Sequence, residues 1–304
     1  MEGLVLFNKP QNYYSKNIVD YFKKMTNKKV GHGGTLDKLA QGLLIIGIGK
    51  ATKYLSYFLK KTKKTYLAEI KFCYTSDTFD REGDLKKNND CNVNYNNILE
   101  IIKEFKGPIQ QKPPKFSAIK ILGKKAYELL RMGISNFEIK PRNVFIYNYE
   151  IINYDESEKK LIIRLTVSSG FYVRSFANDL GQKLNCGAVL WNLTREKINN
   201  FTIDKALTFE DIENKFLEFK AYISGTVQGV GFRYYCLREA IKLDIKGYAK
   251  NLVNGRVKVL AQGNLDSLIN FYEKLKKGPI LAKVENIIII WQKITNKYNK
   301  FVIL

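Results

Sequence analysis

Gly31-His32-Gly33-Gly34-Thr35-Leu36-Asp37-Lys38-Leu39-Ala40-Gln41-Gly42 is the stretch around which the chain is organised. Three of its first four residues are glycine. A segment that gives up so many side chains needs unusual backbone angles or close approach to a bulky group. It carries one carboxylate, Asp37, and runs directly into the apolar, strand-like segment Leu43–Ile48. An aspartate held at the mouth of a sheet by a glycine-rich loop is a candidate nucleophile or base. The bland alternative is an Asx-turn, in which the carboxylate bonds its own backbone, and residue types alone favour that reading.

Outward from the loop, Gly3–Phe7 reads as a strand stopped at Lys9-Pro10, and Ser15 caps a helix with Ile18, Val19, Phe22 and Met25 on one face. Lys50–Leu59 reads as helical and Lys64–Ile70 as a strand, followed by the polar loop Thr75–Asp84. Ile98–Phe105 is a short helix, Gln111–Ala118 a proline-stiffened extended segment, and Ala126–Met132 a helix. Arg142–Tyr154 and Leu161–Ser168 pair as strands across the charged turn Asp155–Lys160, and Gly170–Ser175 is a second candidate site loop leading into a helix. Strands and helices mix without βαβ regularity, which predicts an α+β domain on a mixed, mostly antiparallel sheet.

The chain has 304 residues, enough for two domains, and its 45% apolar content supports packed cores. The formal net charge is +22, which points to a polyanionic partner, though abundant lysine throughout is also a compositional bias. Residues 215–304 hold 16 Lys and Arg against 6 Asp and Glu, a net of +10 from under a third of the chain. The four cysteines have no C-x-x-C spacing and there is one histidine, which argues against a zinc site. No apolar run reaches 18 residues and the N-terminus lacks a signal-like segment, so no membrane association, a cytoplasmic location and reduced thiols are expected.

The Asp37 loop resembles the catalytic loop of the TruB-type tRNA pseudouridine synthases, G-H-x-G-x-L-D-P-x-A-x-G. Lys38 stands where a proline is common and Gln41 where a small hydroxyl residue is common. Lysine frees φ at its position, so a more mobile loop with activity retained is expected. Five further motifs extend the resemblance over residues 1 to 214: Leu6-Phe7-Asn8-Lys9-Pro10, Lys64-Thr65-Tyr66, Thr75-Ser76-Asp77-Thr78-Phe79-Asp80, Pro113-Pro114-Lys115-Phe116-Ser117-Ala118 and Gly170–Arg174. The resemblance implies a pseudouridine synthase fold with Asp37 as nucleophile, Tyr172 near C5 of the uracil and Arg174 paired with the catalytic aspartate. It implies that Tyr66 stacks on the flipped base, that His32 and Asp80 contact flipped-out bases, and that Lys9 is a basic residue near the site. The implied substrate is the TΨC loop of tRNA at uridine 55, with no metal or organic cofactor. Tyr66 read alone is an ordinary strand aromatic, and Arg174 read alone a surface ion pair.

Residues 218–304 follow the order strand, helix, strand, strand, helix, strand, with Asn254-Gly255 as a hairpin signal. This is a ferredoxin-like βαββαβ pattern. Gly225-Thr226-Val227-Gln228-Gly229-Val230-Gly231-Phe232-Arg233 opens the first of these helices, and amides at a helix N-terminus with glycines and an arginine form an anion cradle. The segment resembles the acylphosphatase signature G-x-V-Q-G-V-x-F-R. The resemblance implies a phosphate-binding loop of Gln228, Gly229, Val230 and Gly231, a phosphate clamp in Arg233, and a water-orienting Asn251. A synthase domain, 1–214, followed by an acylphosphatase-like domain, 215–304, is therefore expected, monomeric, acting on tRNA and on a small acyl phosphate. The competing readings are a C-terminal module that binds RNA without catalysis, and a tRNA-binding or chaperone protein with an incidental pocket.

Overall fold

A computed structural model describes residues 1–60, 62–117, 119–121 and 123–304. Ala118, the last residue of the Pro113–Ala118 motif, lies outside them. In chain order the principal elements are β1 (Gly3–Lys9), α1 (Ser15–Thr26), β2 (Val30–His32), β3 (Gln41–Ile48), α2 (Leu55–Lys60), β4 (Lys64–Phe72), α3 (Tyr95–Lys103), β5 (Gly107–Gln111) and α4 (Ala126–Arg131). They continue with β6 (Arg142–Asp155), β7 (Lys160–Val167), α5 (Val173–Lys183), β8 (Ala188–Ile198), α6 (Phe209–Glu213) and β9 (Phe216–Thr226). The last are α7 (Phe232–Lys242), β10 (Lys246–Asn251), β11 (Val257–Asn264), α8 (Leu265–Lys277), β12 (Lys283–Gln292) and β13 (Phe301–Ile303). This is the α+β class, with a ferredoxin-like βαββαβ order at the C-terminal end.

The chain divides into two compact units, Met1–Lys38 with Gly42–Phe58 and Phe201–Leu304, and Leu39–Gln41 with Leu59–Asn200. In the first unit the sheet order is β13-β10-β11-β9-β12-β1-β3-β2. All neighbours are antiparallel except β10 with β13 and β12 with β1, which are parallel. Leu4 stands opposite Ile290 and Val5 opposite Trp291. The first strand of the chain thus closes the edge of the C-terminal ferredoxin-like sheet. At the seam Gly3 has φ +122°, and a Cβ there would stand 2.8 Å from the Ile289 carbonyl oxygen, so only glycine lets β1 start so close to β12. One core joins the two ends of the sequence: Val5, Phe7, Ile18, Phe22, Leu44 and Ile46 belong to the same buried cluster as Phe219, Leu268, Phe271 and Trp291.

α1 buries Ile18, Val19 and Phe22 on one stripe, the 3.6-residue period of a surface helix. Met25, read as the fourth member of that face, is instead 38% exposed in the last turn. Ser15 does not cap this helix. The N-cap position is Tyr14, whose amide donates to Asn17 Oδ1 at 2.8 Å.

In the second unit the sheet order is β8-β4-β7-β6-β5, antiparallel throughout. Along β7, Leu161, Ile163, Leu165 and Val167 are buried and alternate with partly exposed residues, the two-residue period of a strand with one face in the core. β8 was not foreseen from the sequence. The reduced-thiol expectation is corrected in this unit: Cys73 and Cys91 form a disulfide with Cα atoms 5.3 Å apart. Residues 74–75 and 86–87 pair antiparallel and return the chain on itself, which brings together two cysteines that their spacing keeps apart. Cys186 and Cys236 are buried free thiols. Among the described residues no helix is long and apolar enough to cross a membrane, and no group of three or more His, Cys, Asp or Glu could hold a metal ion.

Candidate functional site

Asp37 lies in the first unit, in the loop between β2 and β3, and its neighbours are fixed by the segment around α1. The Ser15 hydroxyl donates to the Leu36 carbonyl at 2.9 Å and accepts from the Leu36 amide at 2.9 Å. On the other side of Asp37, the Asn12 amide donates to the Lys38 carbonyl at 2.9 Å. The Leu36 side chain is buried as an anchor, and Asp37 itself is half-exposed. The backbone on both sides of the carboxylate is thus held by groups that are not the carboxylate. His32 ends β2, and its Nδ1 accepts from the Gly34 amide at 3.3 Å. Lys9 is fully buried, with its ammonium donating to the carbonyls of Pro10 at 2.9 Å and Tyr13 at 2.6 Å. Ser15→Ala leaves a buried amide and carbonyl at Leu36 short of their partner, a cost of about 1–3 kcal/mol. The expected result is a lower thermal midpoint with faster amide exchange across residues 33–40. An unchanged midpoint and unchanged exchange would refute the role given to Ser15.

Tyr66, Asp80, Tyr172 and Arg174 all lie in the second unit. Asp80 is buried, and its Oδ1 accepts from the Thr78 hydroxyl at 2.7 Å and the Glu82 amide at 3.0 Å. Its Oδ2 accepts from Arg174 Nη1 at 3.2 Å. The same guanidinium donates to the carbonyls of Thr78 at 3.1 Å and Phe116 at 3.1 Å. Asp80 therefore fixes the Arg174 side chain through a buried, charge-assisted bond. Tyr172 precedes α5, and its ring packs against the cluster of Ile119, Ala126 and Ile139. Its backbone is clamped by one amide side chain: Gln111 Nε2 donates to the Tyr172 carbonyl at 3.0 Å, and Gln111 Oε1 accepts from the Tyr172 amide at 2.8 Å. Sequence reading passed over Gln111, because a tie across 61 residues leaves no trace in periodicity. Tyr66 lies on β4 opposite Leu165 and Arg195 and is 7% exposed. Two residues along, burial and then the charge of Arg195 push the Lys64 ammonium down to about 8.

The loop before α7 is in the first unit. Gly229 and Gly231 adopt φ +75° and +74°, the left-handed turn that aims successive amides at one point. A concavity here is lined by Gln228, Gly229, Gly231, Arg233, Tyr234 and Asn251, among others. Gln228 does not turn its amide into it: Nε2 donates to the carbonyls of Leu252 and Arg256, both at 2.9 Å, tying the loop to the β10–β11 hairpin. The partly buried Val230 packs against the core. Arg233 is half-exposed, with Nη1 donating to the Leu304 carbonyl at 3.0 Å. Asn251 Oδ1 is buried and has no hydrogen-bond partner among the described residues, an orphaned acceptor at the wall of an anion cradle. Such a site suits a phosphate with one water molecule beside it.

A family model described as the N-terminal domain of TruB family pseudouridylate synthases matches residues 23–173, and an acylphosphatase family model matches residues 219–303. The tRNA pseudouridine synthase B of Clostridium kluyveri is 39% identical over 216 residues, 71% of this chain and 73% of that protein. The tRNA pseudouridine synthase B of Ureaplasma parvum is 39% identical over 224 residues, 73% of this chain and 98% of that protein. Among solved structures, a chain of a Cbf5–Nop10–Gar1 complex is 21% identical, covers 94% of this chain and 84% of its own length, and has a TM-score of 0.54, a likeness of fold.

Proposed function

Since the chain belongs to the TruB family of pseudouridylate synthases and ends in an acylphosphatase domain, we propose that it converts uridine 55 in the TΨC loop of tRNA to pseudouridine and hydrolyses acyl phosphates. The two activities are assigned to residues 1–214 and 215–304. The observation that carries the first is the Asp37 loop, with the residues before and after its carboxylate held by Ser15 and Asn12. Isomerisation breaks the C1′–N1 bond of uridine, turns the base and rejoins it through C5, which then gives up its proton. A carboxylate that forms and releases a covalent adduct serves that sequence, and the base must first leave the RNA stack. Asp37 takes the nucleophile's role, Tyr172 acts at C5, and Tyr66, His32, Asp80, Lys9 and Arg174 support the flipped nucleotide and the nucleophile as the resemblance assigns them. The buried bond from Asp80 to Arg174 and the Gln111 clamp on Tyr172 support that assignment. The test is pseudouridine formation on an unmodified tRNA transcript, read at position 55; a folded protein that binds the transcript and forms none would leave the tRNA-binding reading in its place.

In the second reaction, water attacks the acyl phosphate and releases a carboxylate and phosphate. Arg233 and the amides of the 228–231 loop hold the phosphoryl oxygens, and the orphaned Asn251 Oδ1 orients the water. Benzoyl phosphate is the probe. Arg233→Ala and Asn251→Ala should each lower hydrolysis by at least about a hundredfold, as for removal of a preorganised polar contact to the transition state. A folded wild-type protein that leaves benzoyl phosphate intact would refute this activity.

A further inference from the structure

The C-terminal sheet has two faces, and the helices cover one of them. On that face Leu217, Phe219, Ala221 and Ile223 of β9, Val257, Val259 and Ala261 of β11, and Ile289 and Trp291 of β12 enter the core with Leu268 and Phe271 of α8. Residues directly opposite each other on neighbouring strands share a face, so the register reads out the other side row by row. One row is Ile288, Tyr222, Lys258 and Lys250. The next is Ile290, Lys220, Leu260 and Tyr248. A third, Gln292, Glu218, Gln262 and Lys246, is roofed by the segment before β13: Gln262 Nε2 donates to the Asn296 carbonyl at 2.5 Å, and the Tyr298 amide donates to Gln262 Oε1 at 3.1 Å.

The first two rows contain no carboxylate. Their rings and cations interleave: the Arg256 guanidinium stands 5.9 Å from the Tyr222 ring centre, the Lys258 ammonium 5.5 Å from that of Tyr248, and Tyr298 edges onto Tyr248 at 5.8 Å. In the first row Tyr222 and Lys258 are half-buried and Lys250 is exposed, whereas in the second Ile290, Leu260 and Tyr248 are buried and Tyr298 lies against Tyr248, so the first row together with the half-buried Arg256 is the open part of this face. Burial lowers the pKa of Lys220; among its charged neighbours Glu218 opposes the shift, and Lys205 and Lys258 add to it. An aromatic and basic face on a four-stranded sheet is one of the ways a protein holds unpaired RNA, with rings stacking on bases and cations meeting phosphates.

We propose that this face of the C-terminal sheet is a second RNA-contact surface, on which Tyr222 stacks an unpaired base of the same tRNA while Arg256, Lys258 and Lys250 neutralise its phosphates. The proposal rests on the tRNA-modifying reading above, and charge complementarity names the occupant. Its test uses the full-length protein and an unmodified tRNA transcript, with Tyr222→Ala and the pair Lys258→Glu with Lys250→Glu. Each change should weaken transcript binding about tenfold. The charge-reversed pair should also flatten the dependence of log affinity on log salt by about 0.7–0.9 for each phosphate it no longer neutralises. Pseudouridine formation at saturating tRNA and benzoyl phosphate hydrolysis should keep wild-type rates, and Tyr222→Phe should restore binding. Wild-type affinity and salt slope in both altered proteins, with unchanged thermal unfolding, overturn the proposal. A wild-type protein that binds the transcript through this face but forms no pseudouridine would refute the synthase reading and leave the RNA surface standing.

Discussion

Asp37→Asn should reduce pseudouridine formation by at least about a thousandfold while the protein still folds and binds tRNA, the pattern expected when a nucleophile and no binding contact is removed. Asparagine has nearly the shape of aspartate and keeps a carbonyl acceptor, but its neutral amide cannot form and release an ester-like adduct. The backbone on either side of the carboxylate has partners of its own: Leu36 is bonded twice to Ser15, and the Lys38 carbonyl is bonded to Asn12. The change removes charge and nucleophilicity at a place whose flanking residues keep the bonds to Ser15 and Asn12. Single-turnover formation of pseudouridine on a tRNA transcript, beside transcript affinity and a melting curve, separates the outcomes. Retained modification would disprove the role of Asp37. Loss of modification together with loss of the fold would show that the carboxylate closes the turn, the reading that residue types alone favour.

What the sequence disclosed is local chemistry. The Asp37 loop and the 225–233 loop are legible because glycines at fixed offsets, a carboxylate and an arginine announce backbone shape and charge within a dozen residues. The C-terminal strand and helix order is legible for the same reason, through period and the Asn254-Gly255 turn. What it concealed is the choice of distant partner. Gln228 looks like a ligand of the phosphate loop, yet its side chain serves hairpin carbonyls more than twenty residues away. Asp80, which the resemblance assigns to base contact, also has a buried bond to Arg174, 94 residues on, that no local pattern shows. Ser15 looks like a helix cap and holds Leu36 instead. In each case a polar side chain has several hydrogen-bonding options that local pattern cannot rank, and tertiary packing selects one. One signal was present and unread: Leu4-Val5-Leu6-Phe7 is apolar without alternation, the mark of a strand covered on both faces, and β1 does lie inside a sheet, between β12 and β3.

That placement makes the C-terminal module part of the fold of the N-terminal strand. Trp291 is fully buried, stands opposite Val5, packs edge-on to Phe219 at 5.2 Å, and donates from Nε1 to the Glu2 carbonyl at 2.7 Å. Trp291→Ala opens a large cavity at the seam and leaves the Glu2 carbonyl without this donor, a loss of about 3–5 kcal/mol. For a cooperative unit of this size that corresponds to a melting point lower by about 10 °C. Because Val5, Phe7, Ile18 and Phe22 share the cluster with Phe219 and Phe271, the loss should appear in both proposed activities at one temperature. Truncation after Asn214 removes β12 from beside β1 and about two-thirds of the buried residues of that core, so the fragment 1–214 should fail to fold as a soluble unit. Thermal inactivation of pseudouridine formation and of benzoyl phosphate hydrolysis, followed in the same samples of wild type and Trp291→Ala, decides the matter. Two separate inactivation temperatures, or a soluble and fully active 1–214 fragment, would mean that the seam joins two independent domains. Coincident loss would mean that the fusion is held by a common core as well as by the covalent chain.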